Sequence, residues 1–356
     1  MNNITKIEKA VGRSYYDAVL LTSRENLYYA TGYDNAEAYL ILTAEEAAYF
    51  VDARCSEEAA AKIPDTQVVL IETAAAAYDK MNAFLKARGV KVLGVEEGKL
   101  SCSSYRRLEE KLTPELADAQ SFMNDMRALK TREELDVLIR AQRIAEQAFR
   151  ETVAQIRPAM TEQELAAELF CNMIKNGAED RSFDTIVVSG SHTSMPHGKP
   201  EARQLQRGFL TIDFGCKVGG YCSDTTRTLA IGEPTAEMEK VYDTVLQAQL
   251  AAIAGAKGGM TGRAIDAIAR DVIRDAGYGD YFSHSLSHGV GLEIHEAPYC
   301  SPRSTDVIAP GAVISMEPGI YLPGRFGVRI EDVVYVTEEG CEDITALEKG
   351  LSVVLA

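Results

Sequence analysis

The segment Phe209 to Ile231, FLTIDFGCKVGGYCSDTTRTLAI, holds two aspartates on two apolar runs joined by a glycine-containing turn. If Val218 and Gly219 form that turn, Asp213 lies directly opposite Asp224, and opposed side chains on paired strands stand only about 4.5 to 5.5 Å apart at Cβ. Phe209, Leu210, Ile212, Phe214 and Tyr221 make the surroundings apolar. Burial there favours neutral acids unless a divalent cation lies between them. Hard oxygen donors suit Mn, Mg or Ca, or Zn or Co in a mixed nitrogen and oxygen set. The competing reading is two surface aspartates beside a turn.

A second acidic pair lies in AVISMEPGIYLPGRFGVRIEDVVYV, two strands around Pro323 and Gly324 with Glu317 on the first and Glu331 on the second. An unpaired charge in such apolar strands is expensive. The plain alternative is a salt bridge to Arg325 or Arg329. Strand alternation points the next residue, Asp332, to the opposite face and toward solvent.

All five histidines, His192, His197, His284, His288 and His295, fall within about a hundred residues of one another. His288, in HSLSHGVGLEIHE, is followed by Gly289 and Gly291, which permit close backbone approach, and imidazole is the commonest protein metal ligand. One histidine with four carboxylates does not suit a structural zinc site, which favours cysteine. It suits two divalent ions sharing bridging carboxylates, with positions left open for water and substrate. Nearby histidines then stabilise an oxyanion or leaving group, and the implied chemistry is hydrolysis.

The elements that position these groups divide the chain near residue 125. Before it, Ala18 to Thr22, Ala38 to Leu42, Ala48 to Val51, Gln67 to Ile71 and Lys91 to Val95 read as strands, with helices over Glu57 to Lys62 and Ala74 to Arg88. This is an α/β domain over residues 1–125. Thr131 with Glu134, and Thr161 with Glu164, are capping boxes that open two helices. Further helices are expected over Ala236 to Ala256 and Gly262 to Ala276. Strands are expected over Asp184 to Ser189, Phe209 to Cys216, Tyr221 to Ile231, Ala312 to Glu317 and Val328 to Val336. Residues 126–356 therefore read as an α+β domain built on hairpins.

At 356 residues, with 46% hydrophobic and 25% charged residues, the chain has the balance of a soluble two-domain protein. Met1 to Ala10 alternates polar and charged residues, and no stretch approaches the roughly 20 apolar residues of a membrane span. Seven cysteines, odd in number and without a C-x-x-C pair, point to free thiols in a reducing cytoplasm. Cys216 and Cys222 flank the aspartate turn without meeting across it. A formal net charge of −16 disfavours nucleic acid and anionic lipid. The glycine-rich GGMTGRA lacks the ending of a phosphate loop and reads as a helix start.

The phrases FDTIVVSG, PHGKP, TIDFG, GYCSDTTRT, SHGVGLEIHE, MEPGIY and GVRIED, in that order across residues 183–332, resemble the pita-bread metallopeptidases: aminopeptidase P, prolidase, methionine aminopeptidase and the metal-free creatinase. NLYYATGYDNAEAYLIL and FVDAR resemble the creatinase-type first domain, so the likeness covers nearly the whole chain. It implies a pita-bread catalytic domain and two divalent ions, manganese first and cobalt or zinc as alternatives. By resemblance the metal ligands are Asp213, Asp224, His288, Glu317 and Glu331. Asp224 and Glu331 bridge, and Glu317 also serves as base. His197 and His295 match histidines that contact substrate and stabilise the tetrahedral intermediate, while His284, Tyr321 and Arg329 match supporting positions. Ser287 departs from the glycine of many relatives.

An amino-terminal domain argues against methionine aminopeptidase, and a complete ligand set argues against creatinase. The resemblance then implies a cytoplasmic, homodimeric Xaa-Pro aminopeptidase acting on peptides with proline second. A prolidase restricted to dipeptides is the alternative, and a non-catalytic peptide-binding module on the same fold is the rival from another class.

Overall fold

Two adjacent glycines set the geometry of the aspartate hairpin. In the computed structural model, which describes residues 2–35 and 37–355, Gly219 and Gly220 have φ of 54° and 74°. Positive φ at both central positions is the two-residue turn whose twist matches paired strands. The turn is thus Gly219–Gly220 rather than Val218–Gly219. Val218 pairs with Tyr221 and Asp213 with Thr226. Asp213 is not directly opposite Asp224 but two positions away. Because strand side chains alternate with period two, both still project from the same face. Asp224 falls in a break between the strands Tyr221–Cys222 and Thr225–Ile231. Gly215 belongs to this break, since a Cβ there would lie 1.9 Å from the Ser223 carbonyl.

The glutamate hairpin is also interrupted. Val313–Met316 pairs with Asp332–Val336, and Gly319–Leu322 pairs with Phe326–Arg329. The expected continuous strand over Val328 to Val336 breaks at Ile330–Glu331 because the Glu331 amide donates instead to the Thr226 carbonyl, at 3.1 Å. Across the hairpin the Glu317 amide donates to the Leu286 carbonyl, at 3.0 Å. The two bonds tie the break to the aspartate hairpin on one side and to the histidine segment on the other.

The chain divides between Arg127 and Ala128. The first unit is a mixed six-stranded sheet in the order Gln67–Ile71, Ala47–Asp52, Ala38–Thr43, Ala18–Leu21, Val92–Val95, Glu115–Asp118. Its core includes Leu20, Ile41, Phe50, Met81, Phe84 and Leu93. Ile4–Val11, which the sequence reading did not assign, is a helix burying Ile4, Ile7 and Val11 at helical spacing; Met1 lies outside the described residues.

In the second unit the capping boxes at Thr131–Glu134 and Thr161–Glu164 both form, opening Arg132–Val153 and Glu162–Lys175. These helices pack on the sheet containing Ile186–Ser189, Gly208–Phe214 and Thr225–Ile231, through Phe149, Leu165, Leu169, Ile212 and Phe214. Ala236–Gly255 and Gly262–Asp275 share a second core with the strands of the glutamate hairpin. GGMTGRA is a helix start, with Thr261 capping Gly262–Asp275. Each sheet thus carries a helical layer, the α+β arrangement of a pita-bread domain.

Candidate metal centre

Gly208–Phe214 is buried along nearly its whole length, and alternation assigns its two faces different tasks. Leu210, Ile212 and Phe214 enter the helix-covered core, leaving Thr211 and Asp213 on the other face. Asp224, two positions along the partner strand, shares that face. Glu317 and Glu331 come from the glutamate hairpin. Ser287–Gly289 brings His288 between them by pairing with Val313–Met316 and Glu296–Cys300, and the His288 amide is fixed by Ser315 Oγ at 3.1 Å.

The structure gathers the sequence-selected residues around one cavity of about 310 Å³, lined by His197, Asp213, Asp224, His284, His288, His295, Glu317, Arg329 and Glu331. Tyr321 stands just behind this wall. Its hydroxyl donates to His284 Nε2 at 2.9 Å and accepts from Arg329 at 2.7 Å. His284 Nδ1, 2.8 Å from the Ser285 carbonyl, carries the proton, so Nε2 accepts. Burial lowers the His284 pKa and pushes Tyr321 up to about 12, consistent with a neutral pair. His197 and His295 are exposed at the mouth, His295 packing edge-on against His288 with ring centres 4.4 Å apart.

Charge is unbalanced within the cage. Asp213, Asp224 and Glu331 are buried, Glu317 is nearly so, and the guanidinium facing them is that of Arg329, 2.7 Å from Asp213 Oδ2. Arg329 therefore does not neutralise Glu331, and Arg325 pairs at the surface with Glu237. Burial, then the neighbouring carboxylates, raises Asp224 and Glu331 well above the ordinary carboxylate range. Burial also raises Asp213, against the pull of Arg329. Glu317 is the exception: burial pushes it up, but the His288 contact outweighs this and holds it to about 2.

Divalent cations fit these residues. His288 Nδ1 faces the Gly289 carbonyl at 3.1 Å, and Nε2 lies 3.2 Å from Glu317 and 3.5 Å from Asp224. Burial lowers the His288 pKa but the Glu317 contact outweighs it and raises it, so without metal a proton on Nε2 holds the place between the carboxylates that a cation would take. Asp224, His288 and Glu331 each offer one ligand atom, all within 4.8 Å of one another, and Asp213 Oδ1 is buried without a hydrogen-bond partner among the described residues.

Asp332 does not face solvent. It is buried behind the cage, paired with Arg227 at 2.7 Å, with Lys349 and Gln249 as further donors. Four supports escaped the sequence reading. Thr226 donates to Glu331 Oε2 at 2.7 Å and accepts from Arg329 Nε at 3.1 Å. Its place two residues after Asp224, on the same face, was the available signal. Glu162 accepts from the Ser189 amide at 2.8 Å, from His192 Nδ1 at 3.0 Å and from the Glu201 amide at 3.2 Å, pinning both ends of the loop that carries His197. Arg270, held by Asp266, donates to the Phe282 and His284 carbonyls. Lys130 pairs with Glu296, beside His295, at 2.6 Å with both side chains buried. Nothing local in sequence marks Glu162 and Lys130, because their partners are distant along the chain, whereas the Asp266–Arg270 spacing of four on one helix was an available signal. Ser287 lines the cavity, buried opposite Cys300. All seven cysteines are free, and burial lifts Cys216 to about 11 and Cys222 to about 12.

The family model for metallopeptidase family M24 matches residues 136–338, and that of the creatinase/prolidase N-terminal domain matches residues 3–129. The chain is 38% identical over 351 residues to an Xaa-Pro dipeptidase of Pyrococcus furiosus, covering 98% of this chain and 99% of that one. It is similar to the solved structure of an Xaa-Pro dipeptidase from Bacillus anthracis, with a TM-score of 0.94, 38% identity and 99% of each chain covered. An X-Pro aminopeptidase from Thermotoga maritima matches with a TM-score of 0.92 and 36% identity over 99% of this chain and 100% of that one. With an acidic cage built to hold cations and a likeness that runs end to end, the chain belongs to metallopeptidase family M24 and is a metal-dependent peptidase.

Proposed function

We propose that this protein hydrolyses the peptide bond preceding proline at the amino terminus of peptides. The observation that carries the reading is the convergence of Asp213, Asp224, His288, Glu317 and Glu331 on one cavity whose remaining wall, with Phe183, Ile186, Pro196 and Ile294, is largely apolar. The Xaa-Pro peptidases named above support it. A bond to proline is a tertiary amide without an N–H and with a rigid ring. An apolar wall facing polar catalytic groups is the shape such a bond requires.

In this reading the five donors hold two divalent cations, manganese first, with cobalt or zinc as alternatives. When bound, the ions lower the pKa of a water and polarise the scissile carbonyl. Glu317 takes the proton released by the attacking water. Its Oε1 is oriented by Ser315 Oγ at 3.1 Å. His197 and His295 donate to the developing oxyanion and steady the departing proline nitrogen. Arg329 and Tyr321 hold Asp213 and His284 in place without touching substrate. The same proposal includes a homodimer, and free thiols suit a reducing cytoplasm.

The prolidase alternative is favoured by the names of two similar proteins, the Xaa-Pro dipeptidases of Pyrococcus furiosus and Bacillus anthracis. Purified protein, stripped of metal and refilled with manganese or cobalt, is to be assayed on Ala-Pro and Ala-Pro-Ala against Ala-Ala and Ala-Ala-Ala. Cleavage of the proline peptides alone is expected. Equal turnover of both series, or none of either with metal bound, sinks the reading.

A further inference from the structure

Glu296 pairs with Gly289 across the strands Ser287–Gly289 and Glu296–Cys300, so residues 290–295 form a hairpin loop that opens just after His288 and ends on His295. Successive side chains leave a strand on opposite faces. His295 is accordingly exposed at the cavity mouth, while Glu296, the next residue, is buried.

The buried carboxylate folds back under its own loop. Its Oε2 accepts from the Glu293 amide at 3.4 Å, and its Oε1 accepts from Lys130 Nζ at 2.6 Å. Gly291 makes the room, since a Cβ there would lie 2.1 Å from Oε1. Lys130 is itself buried, and its backbone amide donates to the Gly311 carbonyl at 2.9 Å, just before the helix Arg132–Val153 opens. A second tie comes from the aspartate hairpin, where the Cys222 amide donates to the Gly291 carbonyl at 2.8 Å. The His295 ring, by contrast, makes no hydrogen bond among the described residues. It meets His288 edge-on and otherwise takes its place from the loop.

We propose that Lys130 and Glu296 are positioning residues for the reaction: the buried pair sets the loop that presents His295, and with it the geometry in which that ring meets the developing oxyanion. The inference rests on the role given to His295 in the Xaa-Pro reading and adds what aims it. Exchanging a buried ion pair for uncharged groups of similar size often leaves stability unchanged, so what this pair contributes is registry. A misplacement of about 1 Å at a reacting group costs up to about 100-fold in rate.

The test is a double-mutant cycle on the metal-loaded full chain, with whichever of Ala-Pro and Ala-Pro-Ala the wild type cleaves faster. It compares the wild type, K130M/E296Q, H295A and the combined variant. K130M/E296Q removes both charges together, and the amide oxygen introduced at position 296 still accepts from the Glu293 amide. This variant is expected to lower kcat by about tenfold while KM moves by less than about threefold, with metal content by elemental analysis and melting temperature close to wild type. H295A is expected to lower kcat by about 100-fold. Adding K130M/E296Q to H295A should cost less than about twofold more, because the pair acts only through that ring. If K130M/E296Q does not fold, E296D, which keeps both charges and draws the carboxylate back by one methylene, runs the same cycle. An equal proportional loss of kcat with and without His295, a wild-type kcat in the pair variant, or a rate loss that tracks metal loss overturns the proposal and leaves the Xaa-Pro reading standing. An undiminished kcat in H295A overturns both the role of His295 and the proposal. Failure of the wild type to cleave any proline peptide overturns the Xaa-Pro reading and the proposal together.

Discussion

Glu317 and Glu331 stand opposite each other in a hairpin whose register is the same on either side of them. Met316 pairs with Asp332 and Gly319 with Arg329, and the count between is unbroken. Opposed positions share a face, so two carboxylates are held together where the ladder opens. Their amides, released from pairing, bind the two segments that supply Asp224 and His288. A break that weakens the sheet is thereby the joint that assembles the site.

The repulsion in the cage predicts that stability depends on metal. Chelation should lower the melting temperature, and manganese or cobalt at a hundredfold excess over Kd should restore about 2.7 kcal/mol per site. Glu331→Gln, which removes one buried like charge, should melt higher than the wild type when both are metal-free, yet respond less to added metal. Identical calorimetric melting with and without chelator contradicts the cage.

Thr226 holds both Glu331 and Arg329, so Thr226→Val keeps the shape and removes the hydroxyl. Metal affinity should weaken by about 10- to 100-fold, the usual cost of losing such a support. Titration calorimetry on the stripped protein measures it. A wild-type Kd in the variant shows that the hydroxyl does not orient Glu331.

Glu162 acts on His197 at a distance by tying Ser189, His192 and Glu201 to one carboxylate. In Glu162→Gln an amide N–H replaces one oxygen and confronts donors, loosening the loop. A misplacement of the order of 1 Å can cost up to about 100-fold in rate. The expectation is a fall in kcat of about tenfold with metal stoichiometry unchanged by elemental analysis. Equal losses of metal and rate point to general unfolding.

Glu146 supplies a pH dependence away from the metals. Its side chain is fully buried, Oε1 accepts from the Ala346 amide at 2.6 Å and from Arg143 at 2.7 Å, and Oε2, 4.0 Å from Arg150, has no hydrogen bond among the described residues. Burial raises its pKa despite these donors. The folded state holds this proton more tightly than the unfolded chain, so the carboxyl's contribution to stability is present below about pH 4.5 and declines as pH rises from there through the folded pKa. Glu146→Gln, which cannot ionise, should match the wild type near pH 4 and become progressively more stable than it toward pH 8. Chemical denaturation across that range checks the sign; a gap that closes with rising pH refutes it.

Much of this protein is legible in its residues. Capping boxes announce Arg132–Val153 and Glu162–Lys175 because the signal is local, two side chains three residues apart. Apolar runs mark the central strands of both units. Short or solvent-facing elements are harder: Glu115–Asp118 is an edge strand with exposed ends, and Arg24–Thr31 has little apolar periodicity. Asp332 shows the limit of alternation, which places it on the face opposite Glu331 but does not say that Arg227 lies there.

The aspartate hairpin separates the two kinds of information. Its residues alone determined that Asp213 and Asp224 share a face, because a register error of two leaves every side chain on its own side. Elsewhere the residues marked Glu317, Glu331 and His288 as candidate donors, by charges placed in apolar strands and a histidine among glycines. Only the tertiary structure decided that the turn is Gly219–Gly220, that Glu162 anchors the His197 loop, and that Thr226 and Leu286 accept the amides freed at the glutamates. The turn was signalled locally by its glycine pair, but the other contacts join residues tens to more than a hundred positions apart, selected by packing of the whole unit, and no local pattern encodes them.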